Sequence, residues 1–168
     1  KTRKPIANAA VWQCQRGNDF CKTLNDKGYG PKIRKKTGLL VDPYFSASKL
    51  RWLINHVEGA KESARKGDLL LGTIDSWLLW KLTNGKVHAT DFSNACRTML
   101  FNINTLKWDD ELITLFNLHP SMFPEVKYSD QIFGYTEPEV VFNETVAIAG
   151  LLGDSHAALF GQNCFEAG

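Results

Sequence analysis

Leu50, Leu53, Ile54 and Val57 recur at i, i+3, i+4 and i+7 in the stretch YFSASKLRWLINHVEG. That spacing gives a helix one apolar face, so the segment must pack on one side only. Gly59 is placed to close it as the C′ residue. The rest of the chain alternates around this helix. Residues 6–12 are small and apolar and read as a buried strand, and residues 16–24 read as a helix. Gly28, Gly30 and Pro31 interrupt the chain, and Asp42-Pro43 marks a second break. Residues 60–66 read as a short polar helix. Residues 73–82 read as another, with Ile74, Trp77, Leu78 and Lys81 along one side, and Asn84-Gly85 then turns the chain. Residues 97–103 suggest a strand. Asp109 or Asp110 is placed to start a helix whose Leu112, Leu115 and Phe116 face inward, ended by Pro120 and Pro124. Residues 146–150 read as a short buried strand, and a helix over 155–161 follows. Strands alternating with helices predict an α/β domain.

The bulk numbers exclude several function classes. With 168 residues the chain is long enough for one domain with its own core. The 20 basic and 18 acidic residues leave a net charge of +2, which gives no footprint for nucleic acid or an acidic membrane surface. The one basic cluster, PKIRKK over residues 31–36, reads as a solvated loop or helix end. Four cysteines, Cys14, Cys21, Cys96 and Cys164, form no CxxC and no Cys/His set with metal spacing. Reduced thiols in a cytoplasmic protein are expected. No apolar run approaches 18 residues, so no membrane span is predicted. The chain starts almost at once on an apolar segment and stops just after an apolar helix, so it is expected to be cut from something longer.

Within GLLGDSHAALFGQ, residues 150–162, Asp154 stands alone as an acid between an apolar run and a helix-like run. It has two readings. As an N-cap it would accept bonds from the free N–H groups of the first turn. As a general base it would sit beyond the carboxyl end of a strand, where ligands bind in open α/β sheets, with Gly150 and Gly153 allowing close approach. Asp154, Ser155 and His156 cannot form a hydrolytic triad, because adjacent residues do not set up its geometry and no G-x-S-x-G elbow is present. No phosphate-binding glycine loop occurs. Trp12 and Tyr44 border chain breaks. Each reads as core or rim packing, or as a wall and hydrogen-bonding group for a small polyol.

Particular segments narrow these alternatives. In YFSASKLRWLINH, the residues Tyr44, Ser46, Lys49, Leu50, Trp52, Leu53, Asn55 and His56 resemble, position by position, a signature of the FGGY carbohydrate kinases. AAVWQCQR, TGLLVDPYFS, GTIDSWLLWKLTNGKVHATDFSNACRTMLFNI, FPEVKYSDQIFGYT and GLLGDSHAALFGQ resemble the glycerol kinase branch of that family, in its order, over nearly the whole chain. The resemblance implies an actin-like, ribonuclease H-like fold in which two domains close over ATP and Mg2+. Residues 1–168 would then be part of the N-terminal domain, with its first strands and the whole second domain absent. The family's Asp-x-Gly-Thr phosphate and metal motif and its Arg-Glu polyol pair would precede Lys1, and its adenine-binding domain would follow Gly168. ATP and Mg2+ are therefore expected to be held outside this chain, and the chain alone to be inactive.

Carried over by motif, Asp154 corresponds to the family's catalytic base, taking the proton of a terminal hydroxyl as its oxygen attacks the γ-phosphoryl group. Tyr44 falls where a Tyr bonds glycerol, and Trp12 where an aromatic packs on its carbon skeleton. The implied function is ATP-dependent phosphorylation of glycerol to glycerol 3-phosphate by the parent protein. Ser155 and His156 stand where glycerol kinases usually carry two glutamines, the first of them a glycerol contact. Ser155 is thus a candidate substrate contact of shorter reach, and another polyol or sugar is the alternative substrate. A different class of alternative is a non-catalytic binding or assembly module that self-associates through sheet edges left open by truncation. The phosphorylatable His of some members and the Gly- and Arg-rich loop of others have no counterpart in PEVVFNET, so neither control is expected here. Asp91 and Arg97, in ATDFSNACRTMLF, are expected to be scaffold residues fixing a loop beside the site.

Overall fold

Short strands alternate with helices in the computed structural model, which describes residues 3–141 and 143–166. In chain order the elements are α1 (Asn18–Asp26), α2 (Gly30–Thr37), α3 (Ser46–His56), α4 (Ala60–Arg65) and α5 (Ile74–Leu82). Next come β1 (Ala89–Asp91), α6 (Phe92–Ala95), β2 (Phe101–Asn102), β3 (Lys107–Trp108) and α7 (Asp110–Leu115). A 3₁₀ turn at Pro120–Met122 leads to β4 (Glu125–Lys127), β5 (Gly134–Tyr135), β6 (Ala147–Ile148) and α8 (Asp154–Gly161). The ends of the expected domain over 1–168 and Phe142, in the middle of PEVVFNET, lie outside the described residues. The chain divides into two units, Lys1–Leu71 with Cys96–Phe123, and Gly72–Ala95 with Pro124–Gly168.

The first unit is built on helices. Leu24, Ile33, Ala47, Met99, Leu100, Leu112 and Phe116 form its main buried cluster, and Ile54, Ala60, Ala64, Leu69 and Met122 a second. The predicted face of α3 serves both, because Leu50 packs on the first cluster and Val57 on the second. Gly59, at φ 71°, is the N-cap of α4 rather than the residue that closes α3, whose C-cap is Val57. The strand expected over 97–103 shrinks to two residues paired antiparallel with β3. Met99 adopts φ 67°, and this left-handed backbone cannot continue a strand toward Arg97. Residues 6–12 form no strand, and Ile6 and Val11 are exposed. A strand needs a ladder partner, and among the described residues none pairs with this segment.

Asp109 caps α7, accepting the Leu112 N–H at 3.1 Å, and Leu112 and Phe116 face inward as predicted. The Lys36 ammonium reaches the same carboxylate at 2.7 Å and Glu111 at 2.7 Å, and Lys32 also pairs with Glu111. The basic cluster is therefore a helix that pins α2 to the start of α7, not only a solvated end. Burial pushes the Asp109 carboxyl up, but Lys36, the Asn102 amide and the Leu112 N–H together bring it below the ordinary carboxylate value.

In the second unit β1 and β4 pair in parallel, from Ala89 opposite Glu125 to Asp91 opposite Lys127, and β5 and β6 pair antiparallel. Its buried apolar cluster is Leu79, Ala89 and Phe133, with Val87, Ile148 and Leu151 packed against it. Residues 146–150 were expected to form a buried strand. Only Ala147–Ile148 is strand, and Val146 is exposed, because only the Ile148 face meets that cluster. The stripe on α5 exists but points to solvent: Ile74, Trp77 and Leu78 are 67%, 39% and 53% exposed. The inward side carries Asp75, Ser76 and Leu79, and Thr90 Oγ1 donates to Asp75 Oδ2 at 2.6 Å. Asp75 Oδ1 and Ser76 Oγ are buried with no hydrogen-bond partner among the described residues. The predicted Asn84-Gly85 turn is present, with φ of 49° and 73°.

Candidate functional site

In the first unit, two β-turns carry the candidate aromatics. Cys14 N–H donates to the Val11 carbonyl at 3.0 Å, which makes Trp12 and Gln13 the central residues of one turn. The other runs from Asp42 to Phe45. Phe45 N–H donates to the Asp42 carbonyl at 3.3 Å, and Tyr44 N–H to Asp42 Oδ1 at 2.7 Å. Pro43 presets the backbone at the second position of this turn. A turn apex leaves its side chain outside the core, so Trp12 is 62% and Tyr44 47% exposed. Their ring centroids are 5.9 Å apart at 55°. Core packing is thereby excluded for both. Behind Tyr44, Phe45 meets it edge-on at 5.2 Å, and the Arg97 guanidinium lies 5.0 Å from the Phe45 ring centroid. Arg97 thus supports the turn from behind, as a scaffold residue would.

Cys14, two residues after Trp12, accepts a bond from Arg16 Nε at 3.0 Å. Burial pushes this thiol up, but the Arg16 contacts outweigh it and leave it below the ordinary thiol value.

In the second unit Asp154 is the first residue of α8, not its cap. The N-cap is Gly153, and Asp154 turns one carboxylate oxygen onto a first-turn N–H. Its Oδ1 accepts the Ser155 N–H at 2.7 Å, and Ser155 Oγ lies at 3.5 Å from the same oxygen. Asp154, Ser155 and His156 are all exposed. The carboxylate is therefore fixed at one oxygen by its own neighbour, and Oδ2 is open to a ligand.

What positions this acid is a polar chain that the linear pattern does not reveal. Asp91 is fully buried at the end of β1. It accepts five hydrogen bonds: from Ser93 N–H and Oγ, Asn94 N–H and Nδ2, and Ser129 Oγ. Burial raises this carboxyl, and the Ser129, Ser93 and Asn94 bonds overcome that and hold it below the usual carboxylate range. The Ser93 hydroxyl spends its proton on Asp91, and its lone pair accepts the Gly153 N–H at 2.7 Å. Ser129 contributes twice, since its carbonyl also takes the Leu151 N–H at 3.0 Å. The backbone on the N-terminal side of Asp154 is thus held at residues 151 and 153. The scaffold expectation for Asp91 fits this geometry.

The described residues hold no group of three or more His, Cys, Asp or Glu side chains able to bind a metal ion. No described helix is long and apolar enough to cross a membrane.

The sequence pattern of the FGGY family of carbohydrate kinases, N-terminal domain, matches residues 1–161. The glycerol kinase of Carboxydothermus hydrogenoformans is 54% identical over 167 residues, covering 99% of this chain and 33% of its own length. Glycerol kinase 1 of Thermotoga maritima is 54% identical over 168 residues, covering 100% of this chain and 34% of its own. Among solved structures, Plasmodium falciparum glycerol kinase with ADP superposes with a TM-score of 0.92 at 36% identity, over 98% of this chain and 33% of that one. A xylulose kinase from Lactobacillus acidophilus shares the fold, with a TM-score of 0.78 at 20% identity, over 95% of this chain and 32% of its own. The expected actin-like α/β class is therefore the observed one. The chain spans about a third of the length of these relatives.

Proposed function

Because the chain belongs to the FGGY family of carbohydrate kinases, we propose that it is the polyol-recognising part of a longer, ATP-dependent kinase that converts glycerol to glycerol 3-phosphate. The observation that carries this reading is the state of Asp154. Its carboxylate is exposed, Oδ1 is held by the neighbouring Ser155, and Oδ2 is free of any partner among the described residues.

In this reading Oδ2 accepts the proton of a terminal hydroxyl. The hydroxyl oxygen forms its bond to the γ-phosphorus as the bond from that phosphorus to the bridging oxygen breaks, and ADP leaves. Such transfers depend on position and electrostatics more than on covalent chemistry by the protein. Trp12 offers an aromatic face to the carbon skeleton, and Tyr44 a phenolic hydroxyl to one of the polyol oxygens. Ser155 offers a hydroxyl to another. ATP and Mg2+ are assigned to parts of the protein outside this chain. Cys14, Cys21, Cys96 and Cys164 are thiols rather than disulfides, which fits a reducing, cytoplasmic setting.

The test is Asp154→Asn in the longer protein. ATP-dependent glycerol 3-phosphate formation should fall by about 10²- to 10⁴-fold while glycerol still binds. Near-normal turnover would overturn the assignment. The chain alone should show no turnover. Ser155 motivates a second reading, a kinase for another polyol or sugar, because its side chain reaches less far than a glutamine. A substrate panel on the longer protein separates the two, and a strong preference for a larger polyol would favour the second.

A further inference from the structure

The two turns that present Trp12 and Tyr44 are joined by one buried cation. Lys49 is 6% exposed and sits on the first turn of α3. Helical side chains lean toward the N-terminus, so this one folds back over the segment before the helix. Its Nζ donates to the Tyr44 carbonyl at 2.6 Å and to the Val11 carbonyl at 3.2 Å, 5 and 38 residues upstream. The Val11 carbonyl also accepts the Cys14 N–H that closes the Trp12 turn. One ammonium therefore holds a main-chain oxygen in each turn.

Chemistry favours a positioning role over a merely filling one. A buried ammonium is costly unless its protons are used. Two of these protons go to carbonyls, and among the described residues no carboxylate lies within ion-pair distance of Lys49. The titratable groups around it are Cys14, Cys21 and Asp42, and burial is the main influence, pulling the ammonium below its ordinary value. An apolar side chain would fill the same volume at less cost, but it would leave the turns untied.

We infer that Lys49 is a positioning residue for polyol recognition, setting the separation of the Trp12 and Tyr44 rings through their main chains. The inference rests on the reading of those two aromatics as polyol contacts. In the longer protein, Lys49→Met should raise the glycerol KM by about 10- to 100-fold with kcat and the ATP KM kept within about twofold. Lys49→Arg, which keeps charge and donors on a different geometry, should give an intermediate KM. The Lys49→Met effect should vanish when Trp12 and Tyr44 are both replaced by Ala, because the pair through which it acts is gone. An unchanged glycerol KM in both Lys49 variants overturns the inference. So does a loss confined to kcat, or one that persists undiminished without the two aromatics. If Lys49→Met does not fold, Lys49→Arg decides: a KM raised about threefold or more with kcat kept supports the role, and a wild-type KM ends it. A readout independent of glycerol is the near-UV circular dichroism difference between wild type and Trp12→Ala, which should collapse in a Lys49 variant. A protein that phosphorylates no glycerol yet loses that difference signal refutes the substrate assignment and keeps the positioning role. Retention of the signal refutes the positioning role.

Discussion

The two units fix their candidate site residues by different physics. The first surrounds Leu24, Ile33, Leu112 and Phe116 with helices and presents Trp12 and Tyr44 on turns at its surface. The second has only Leu79, Ala89 and Phe133 as a buried apolar cluster, and it leaves Ile74, Trp77, Leu78, Leu159 and Phe160 in solvent. Its acid sits on α8, a helix with no buried residue. Apolar contact ends at Leu151, and hydrogen bonds from Asp91 through Ser93 to Gly153 carry the hold up to the helix start. A side chain that binds a carbon skeleton tolerates a soft support, whereas one that takes a proton requires placement to a fraction of an ångström.

The contrast can be broken by substitution. Phe116→Ala should have the largest effect, destabilising the first unit by about 3–5 kcal/mol. Hydrogen exchange at Leu112 should report it, and a loss below about 1 kcal/mol would mean that this core is not what holds the unit. Asp91→Asn comes next, at about 2–3 kcal/mol, since the new amide turns donors toward donors. Protection of the Gly153 N–H should drop with it. Asp91 also sets a pH dependence. Its native value lies below the ordinary 3.8, so its stabilisation is complete above that value and is lost as pH falls through the lower native one. The variant should show a flatter acid profile over that range, and an identical profile would remove Asp91 from the account. Trp77→Lys should change stability by no more than about 0.5 kcal/mol. On the alternative reading of the isolated chain as a self-associating module, it should nonetheless lower the light scattering, because it places a charge in an exposed apolar stripe. Equal scattering would sever the link between that stripe and assembly.

Much of the first unit was readable from the linear order of residues. The α3 period needs only neighbours three and four apart, and the Asp109 cap needs only the residue three ahead. The second unit resisted because its decisive contacts are distant in sequence. Ser129 reaches Asp91 across 38 residues, and Gly153 reaches Ser93 across 60. The stripe on α5 was legible as a stripe, but its direction was not, since the Asp75–Thr90 bond turns the polar side inward. Residues 6–12 misled because apolar composition signals a strand only where a neighbouring strand accepts its hydrogen bonds. Asp154 was visible as an acid at a helix start, but Gly153 turned out to hold the capping position. Lys49 stood out only as one letter of a signature, and its two carbonyl partners emerge from folding alone.

Gly153 has little room around it: a methyl group there would lie 3.3 Å from Ser93 Oγ. The acid follows one peptide later, so any bulk added at 153 would move the carboxylate with no intervening residue to absorb the shift. Reach, rather than acidity, is then the quantity most sensitive to mutation at this corner. An alanine in place of one hydrogen atom would act as a shim, and on the proposed role of Asp154 the longer protein's turnover should register it before stability does.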